Sequence, residues 1–133
     1  MTRPTIVYVS GPMTTGGNFP VNIRRGIEVA AAIMDRGFVV ICPHEKALGM
    51  EMLAPREYED WMAYDLRCID ACDVVLRMSD GYGNPLPSNG GDREVAYARR
   101  IGRPVYYSLD TLFAGVPTTM SHALVESLQR GAA

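Results

Sequence analysis

Thr5-Ile6-Val7-Tyr8-Val9 is a short apolar run halted by Ser10-Gly11-Pro12, and the reading of the fold starts there. The run reads as a first strand, buried on both faces, with turn residues at its end. A loop from Ser10 to Asn18, rich in Gly and Thr, follows it. Pro20 suits the first turn of a helix, and Ile23, Ile27, Ala30, Ala31 and Met34 carry helical spacing up to Gly37, which is placed to end it. Phe38–Cys42 is again continuously apolar and stops at Pro43, so it reads as a second strand buried on both faces. Residues 43–55 read as a loop or lid holding Leu48, Met50 and Met52.

The same alternation continues. A helix is expected over about Arg56–Cys72, with Trp61, Cys68, Ile69 and Cys72 on one stripe. Asp73–Met78 is a third strand, and Ser79–Gly91 is a loop punctuated by Gly and Pro. A helix follows from about Gly91 to Ile101, ended by Gly102, and Pro104–Ser108 is a fourth parallel strand. Met120, Leu124 and Leu128 mark a last helix over 118–129. Strands that are apolar throughout and alternate with helices predict an α/β fold. The expected form is one doubly wound domain over residues 1–133, with a parallel sheet of about four to five strands flanked by helices.

Composition sets outer bounds. The chain has 133 residues, 47% hydrophobic and 21% charged, the balance of a globular protein with a core of its own. Its net charge of −2 and pI near 5.6 leave no basic footprint for a nucleic-acid polymer or an anionic membrane. No apolar run approaches the roughly 20 residues of a membrane span, and the opening residues lack a secretory pattern, so a cytoplasmic location is expected. Cys42, Cys68 and Cys72 are odd in number and lie in apolar surroundings, as reduced core residues do. His44 and His122 are far apart and belong to no ligand-spaced cluster, so neither a metal nor another cofactor is expected.

Ligands of parallel sheets gather beyond the carboxyl ends of the strands. That places the loops after Val9, Cys42 and Met78 around one crevice, beside Ser88-Asn89-Gly90-Gly91-Asp92-Arg93-Glu94. Paired glycines at a helix start let backbone N–H groups approach an anion closely. Glu94, read as a first-turn residue, is favoured there in its ionised form, as a carboxylate nucleophile requires; a solvated helix-start Glu is the plainer alternative. Asp65 falls within the apolar stripe of Trp61, Cys68 and Cys72. A carboxylate there needs a hydrogen bond, an ionic partner or a cavity, and burial raises its pKa. Tyr8 lies near the end of the first strand and Asp80 directly after the third, so Tyr8, Asp65, Asp80 and Glu94 are expected to converge on one pocket.

These residues carry a resemblance. Val7-Tyr8-Val9-Ser10-Gly11-Pro12-Met13-Thr14, with Asn18-Phe19 downstream, is similar to small phage and bacterial proteins related to the nucleoside 2-deoxyribosyltransferases and the nucleotide N-glycosidases. The likeness runs through Gly37-Phe38-Val39-Val40, Pro43, Asp65, Cys72-Asp73 and Ser88…Glu94 to Gly102-Arg103-Pro104-Val105. It implies Glu94 as nucleophile, Tyr8 as the residue orienting it, and Asp65 and Asp80 as acids near the sugar and the leaving base. It implies Ser88 as a phosphate contact where the transferases tend to carry an acid. Ser10, Gly11, Met13, Asn18, Ser88, Gly90 and Gly91 form the expected substrate- and phosphate-binding set.

The expected reaction is therefore hydrolysis of the N-glycosidic bond of a nucleoside 5′-monophosphate. The alternatives are a nucleoside 2-deoxyribosyltransferase, an NAD-type glycohydrolase, or a nucleotide-binding module without catalysis. The sequence departs from the family's pattern at Asp92 and Arg93, charged where small or apolar residues are usual. A homodimer or higher homo-oligomer is expected, through the apolar tail helix or the Met-rich 48–53 segment.

Overall fold

The computed structural model describes residues 4–14, 19–117 and 130–131. Along the chain run β1 (Ile6–Ser10), α1 (Phe19–Asp35), β2 (Val39–Ile41), α2 (Pro43–Leu53), α3 (Tyr58–Asp70), β3 (Val74–Arg77), α4 (Asn89–Arg100), β4 (Val105–Tyr106) and α5 (Leu109–Gly115). The four strands form one parallel sheet in the order β2-β1-β3-β4. The chain winds outward to β2 on one side of β1 and to β4 on the other side of β3. The central pair, with Ser10 opposite Arg77 at its carboxyl end, therefore marks the switch point where a crevice forms. Asn18 and the expected helix over 118–129 lie outside the described residues.

The two-residue period of the strands sorts the sheet into two faces. Val7 and Val9 of β1 and Val74 and Leu76 of β3 pack with Ala30, Ile33, Phe38 and Leu112, against α1 and α5. Tyr8 and Val75 face the other way, onto Ile69, Cys72 and Ala98 of the α3–α4 layer. Side chains such as Ile33 and Ile69 are fully buried, each contributing on the order of 2 kcal/mol by removal from water. By the same alternation, Ser10 and Arg77 extend the Tyr8 face toward the start of α4.

Four expectations change. Residues 43–53 are a helix rather than a loop, with Pro43 in its first turn. Their apolar residues form no single stripe: His44 and Ala47 are buried while Leu48, Met50, Met52 and Leu53 are exposed, so periodicity could not reveal the helix. β2 is not buried on both faces, because it forms the sheet edge with Val39 exposed and Val40 and Ile41 half-buried. Finally, α4 begins two residues earlier than read, at Asn89, and α5 was not anticipated. Cys42 and Cys72 are buried and Cys68 is half-buried, none of them in a disulfide. No described helix is long and apolar enough to cross a membrane.

Candidate active site

Glu94 lies in the second turn of α4 and is 5% exposed, above the ends of β1 and β3. Tyr8 donates its hydroxyl to Oε2 of Glu94, and Ser10 Oγ donates to Oε1 over 2.8 Å. Both donors come from alternate positions of one strand, so a single backbone direction aims both at the carboxylate. Burial pushes the Glu94 carboxyl up to about 7; the nearby Asp65 adds to the rise, while the Tyr8 and Ser10 hydrogen bonds and Lys46 oppose it. Burial thus overrides the helix-dipole effect expected for a first-turn residue. The first-turn acid is Asp92, which is exposed.

Glu94 forms part of the wall of a cavity of about 600 Å³, a size suited to a small ligand. Asp65, Lys46, Trp61, Met62, Gly11, Met13, Ser88, Gly90 and Gly91 line it too, with Arg56 and Arg93 among the remaining lining residues. Tyr8 and Ser10 lie beneath Glu94, both buried. Ser10, expected on a phosphate, instead has its hydroxyl committed to the carboxylate.

Asp65 is buried, as its stripe position implied, and its partner is Lys46 of α2, a residue the sequence reading passed over because it fell in the supposed loop. Burial raises the Asp65 pKa, and the Lys46 ammonium works against that rise. Lys46 Nζ also lies 4.6 Å from the ring centre of Trp61 and 4.8 Å from that of Tyr64, so two aromatic faces help hold the cation.

Asp80 does not join this group. It is exposed, and its carboxylate accepts from the N–H groups of Tyr82 (2.8 Å) and Asn84 (3.0 Å) and from the Asn84 side chain (3.1 Å). These bonds hold its carboxyl below the usual range, and Asp80 borders a separate cavity with Arg25 and Leu109. The Asp-Gly dipeptide is here an ordinary turn.

Ser88 caps α4, accepting from the Gly91 N–H over 2.9 Å, which leaves its own O–H free to donate. Gly91 has a packing reason to be glycine, since a Cβ there would lie 2.7 Å from the Arg77 guanidinium. Arg77 is 1% exposed and donates to the carbonyls of Met78 (3.2 Å) and Leu86 (2.7 Å) and to Asp92 (3.2 Å). It thereby ties the end of β3 to the start of α4. His44, buried and held neutral by that burial, donates from Nε2 to the Pro12 carbonyl over 3.1 Å. Its ring packs on Gly26, where a Cβ would approach within 2.3 Å, so α2 is seated directly on the α1 backbone. Among the described residues, no group of three His, Cys, Asp or Glu side chains could hold a metal ion.

Residues 5–107 match the family described as Domain of unknown function (DUF4406). The chain belongs to that family. Its fold is similar to that of two solved 2-deoxyribosyltransferases. A 2-deoxyribosyltransferase from the psychrotolerant bacterium Bacillus psychrosaccharolyticus superimposes with a TM-score of 0.57 at 19% identity, over 76% of this chain and 69% of its own. A 2-deoxyribosyltransferase from Leishmania mexicana gives 0.53 at 17% identity, over 77% of this chain and 62% of its own. No curated protein matches the sequence.

Proposed function

We propose that this protein cleaves the N-glycosidic bond of a nucleoside 5′-monophosphate by a two-step displacement at C1′, with Glu94 as nucleophile. The observation that carries the reading is the Glu94 carboxylate itself. It is buried, fixed by Tyr8 and Ser10, and yet part of the wall of a nucleoside-sized cavity. In the first step a C1′–O bond to Glu94 forms as the C1′–N bond breaks, through an oxocarbenium-like transition state. Water then hydrolyses the glycosyl ester, releasing the sugar phosphate and restoring the carboxylate.

Two hydrogen bonds to the carboxylate hold it in position for attack. Of the two acids considered for the leaving side, Asp65 shares the cavity and Asp80 does not. Arg56, Arg93 and the free Ser88 hydroxyl on the cavity wall favour an anionic substituent such as a 5′-phosphate. Arg93 is engaged by Glu59 at 2.7 and 3.1 Å on the exposed rim, a pair that a phosphate can replace.

A transferase reading is favoured by the two solved structures of like fold, both 2-deoxyribosyltransferases. In it a second base, rather than water, resolves the ester. The test is incubation of the purified protein with nucleosides and their 5′-monophosphates, with and without a second free base, and chromatography of the products. Free base and sugar phosphate from the monophosphate support the hydrolase. A new nucleoside formed only when the second base is present supports the transferase.

A further inference from the structure

Resting on that reading, we propose that Lys46 stabilises the departing base, and that the preferred base is one whose anion carries charge on the carbonyl oxygen standing where cytosine and adenine have an exocyclic amino group, as in uracil or hypoxanthine. The argument starts from the donors and acceptors on the leaving side. Asp65 is bound to Lys46 Nζ and buried. Lys46 itself is largely enclosed, with a side chain 10% exposed, and still lines the cavity shared with Glu94. An ammonium has three donors and no acceptor. Asp65 engages one, and the Trp61 and Tyr64 faces stabilise the charge without replacing a hydrogen-bond acceptor.

A cation with N–H donors left over complements an oxygen that gains negative charge and is mismatched to an exocyclic amino group. Lys46, Asp65 and Glu94 line the same cavity of about 600 Å³, which puts the pair within one small substrate's reach of the attacked carbon.

The step balances without further reagents. Glu94 supplies the electron pair for the C1′–O bond. The pair of the broken C1′–N bond goes to the base nitrogen and spreads to the carbonyl oxygen, which Lys46 hydrogen-bonds. The base anion takes its proton from water after leaving, and water hydrolyses the ester. Asp65 then acts as a positioning residue that holds Lys46. An ammonium aimed at developing charge in an enclosed site is the arrangement that favours a transition state over the ground state.

The experiment compares two leaving groups on one sugar phosphate: a nucleobase, which needs help to leave, and 4-nitrophenolate, which needs little. Wild type is expected to release uracil or hypoxanthine at least about 10-fold faster than cytosine or adenine, the worth of one good hydrogen bond to charge. Lys46→Met is expected to slow release of the oxo base by about 100-fold, as loss of one oxyanion donor does, while nitrophenol release changes by only a few-fold. Because Lys46→Met strands a buried carboxylate, Lys46→Met combined with Asp65→Asn is measured beside it, and Lys46→Arg should recover part of the base release. Equal losses on both leaving groups, or faster release of adenine, overturn the role of Lys46 alone. A wild type that releases neither leaving group, or a Glu94→Gln variant that still releases nitrophenol, overturns the nucleophile reading and this inference with it.

Discussion

The Tyr8 hydroxyl and the Glu94 carboxylate, 86 positions apart in sequence, meet in a buried hydrogen bond where β1 ends under α4. Everything proposed for this protein depends on that junction, because it brings a fixed carboxylate to the wall of a cavity that can hold a nucleoside.

Replacing Glu94 by Gln keeps the shape and removes the attacking charge. Base release should fall at least about 100-fold while substrate affinity stays within a few-fold, since the loss falls on the transition state. Single-turnover base release and ligand titration measure the two quantities separately. Retention of most activity would rule out the displacement.

The pH dependence follows from the same side chain. Glu94 must be ionised to attack, so kcat/KM should rise with pH to a plateau above its pKa of about 7. Stability moves the other way. Between about pH 4.5, where an unperturbed Glu titrates, and about pH 7 the folded chain holds a proton that the unfolded chain has lost. Stability therefore falls as pH rises through that window, by roughly 3 kcal/mol in all, and levels off above it. Glu94→Gln should lack this fall, so urea titrations of both proteins at pH 5 and pH 8 test it. Tyr8→Phe removes a hydrogen bond to the carboxylate and should move the acid limb of the activity profile to higher pH.

Ser88→Ala has two expected effects that separate cleanly. Loss of the α4 cap should cost about 1 kcal/mol of stability, whatever the substrate. Loss of the free hydroxyl should raise KM for the monophosphate and barely change that for the nucleoside. Matching KM changes for both would remove Ser88 from the phosphate site.

Leu48, Met52 and Leu53 on α2 are 53%, 70% and 89% exposed, large apolar side chains on the helix that lends Ala47 and Glu51 to the cavity wall. A second copy of the chain is the expected cover. Sedimentation at micromolar concentration should show a dimer, and Leu53→Glu should shift it to monomer without lowering the melting temperature of the protomer.

Much of this was legible in the sequence because strand ends and stripes are local signals. Apolar runs stopped by turn residues located β1 and β3, and the two-residue period then decides that Tyr8 and Ser10 share a face. Asp65 stood out as a carboxylate in an apolar stripe, which announced a partner without naming it. Lys46 stayed hidden because α2 buries only a narrow edge and spreads its apolar residues around its circumference. Pro43, a favoured first-turn residue, was the one local hint of that helix. Asp80 failed for a different reason. Position after a strand says where the backbone is, but the Asn84 and Tyr82 hydrogen bonds that turn its side chain away are set within the loop itself.

The contact between Gly26 and His44 has a consequence for descent. α2 rests on α1 at a point where one hydrogen atom stands in for a side chain, and Lys46 is only two residues further along α2. A methyl group at position 26 would lift α2 and carry Lys46 off Asp65, altering the cavity from outside it. Positions 26 and 44 are therefore expected to change as a pair: a chain that enlarges the first has to shrink the second to keep the geometry on which the proposed chemistry stands.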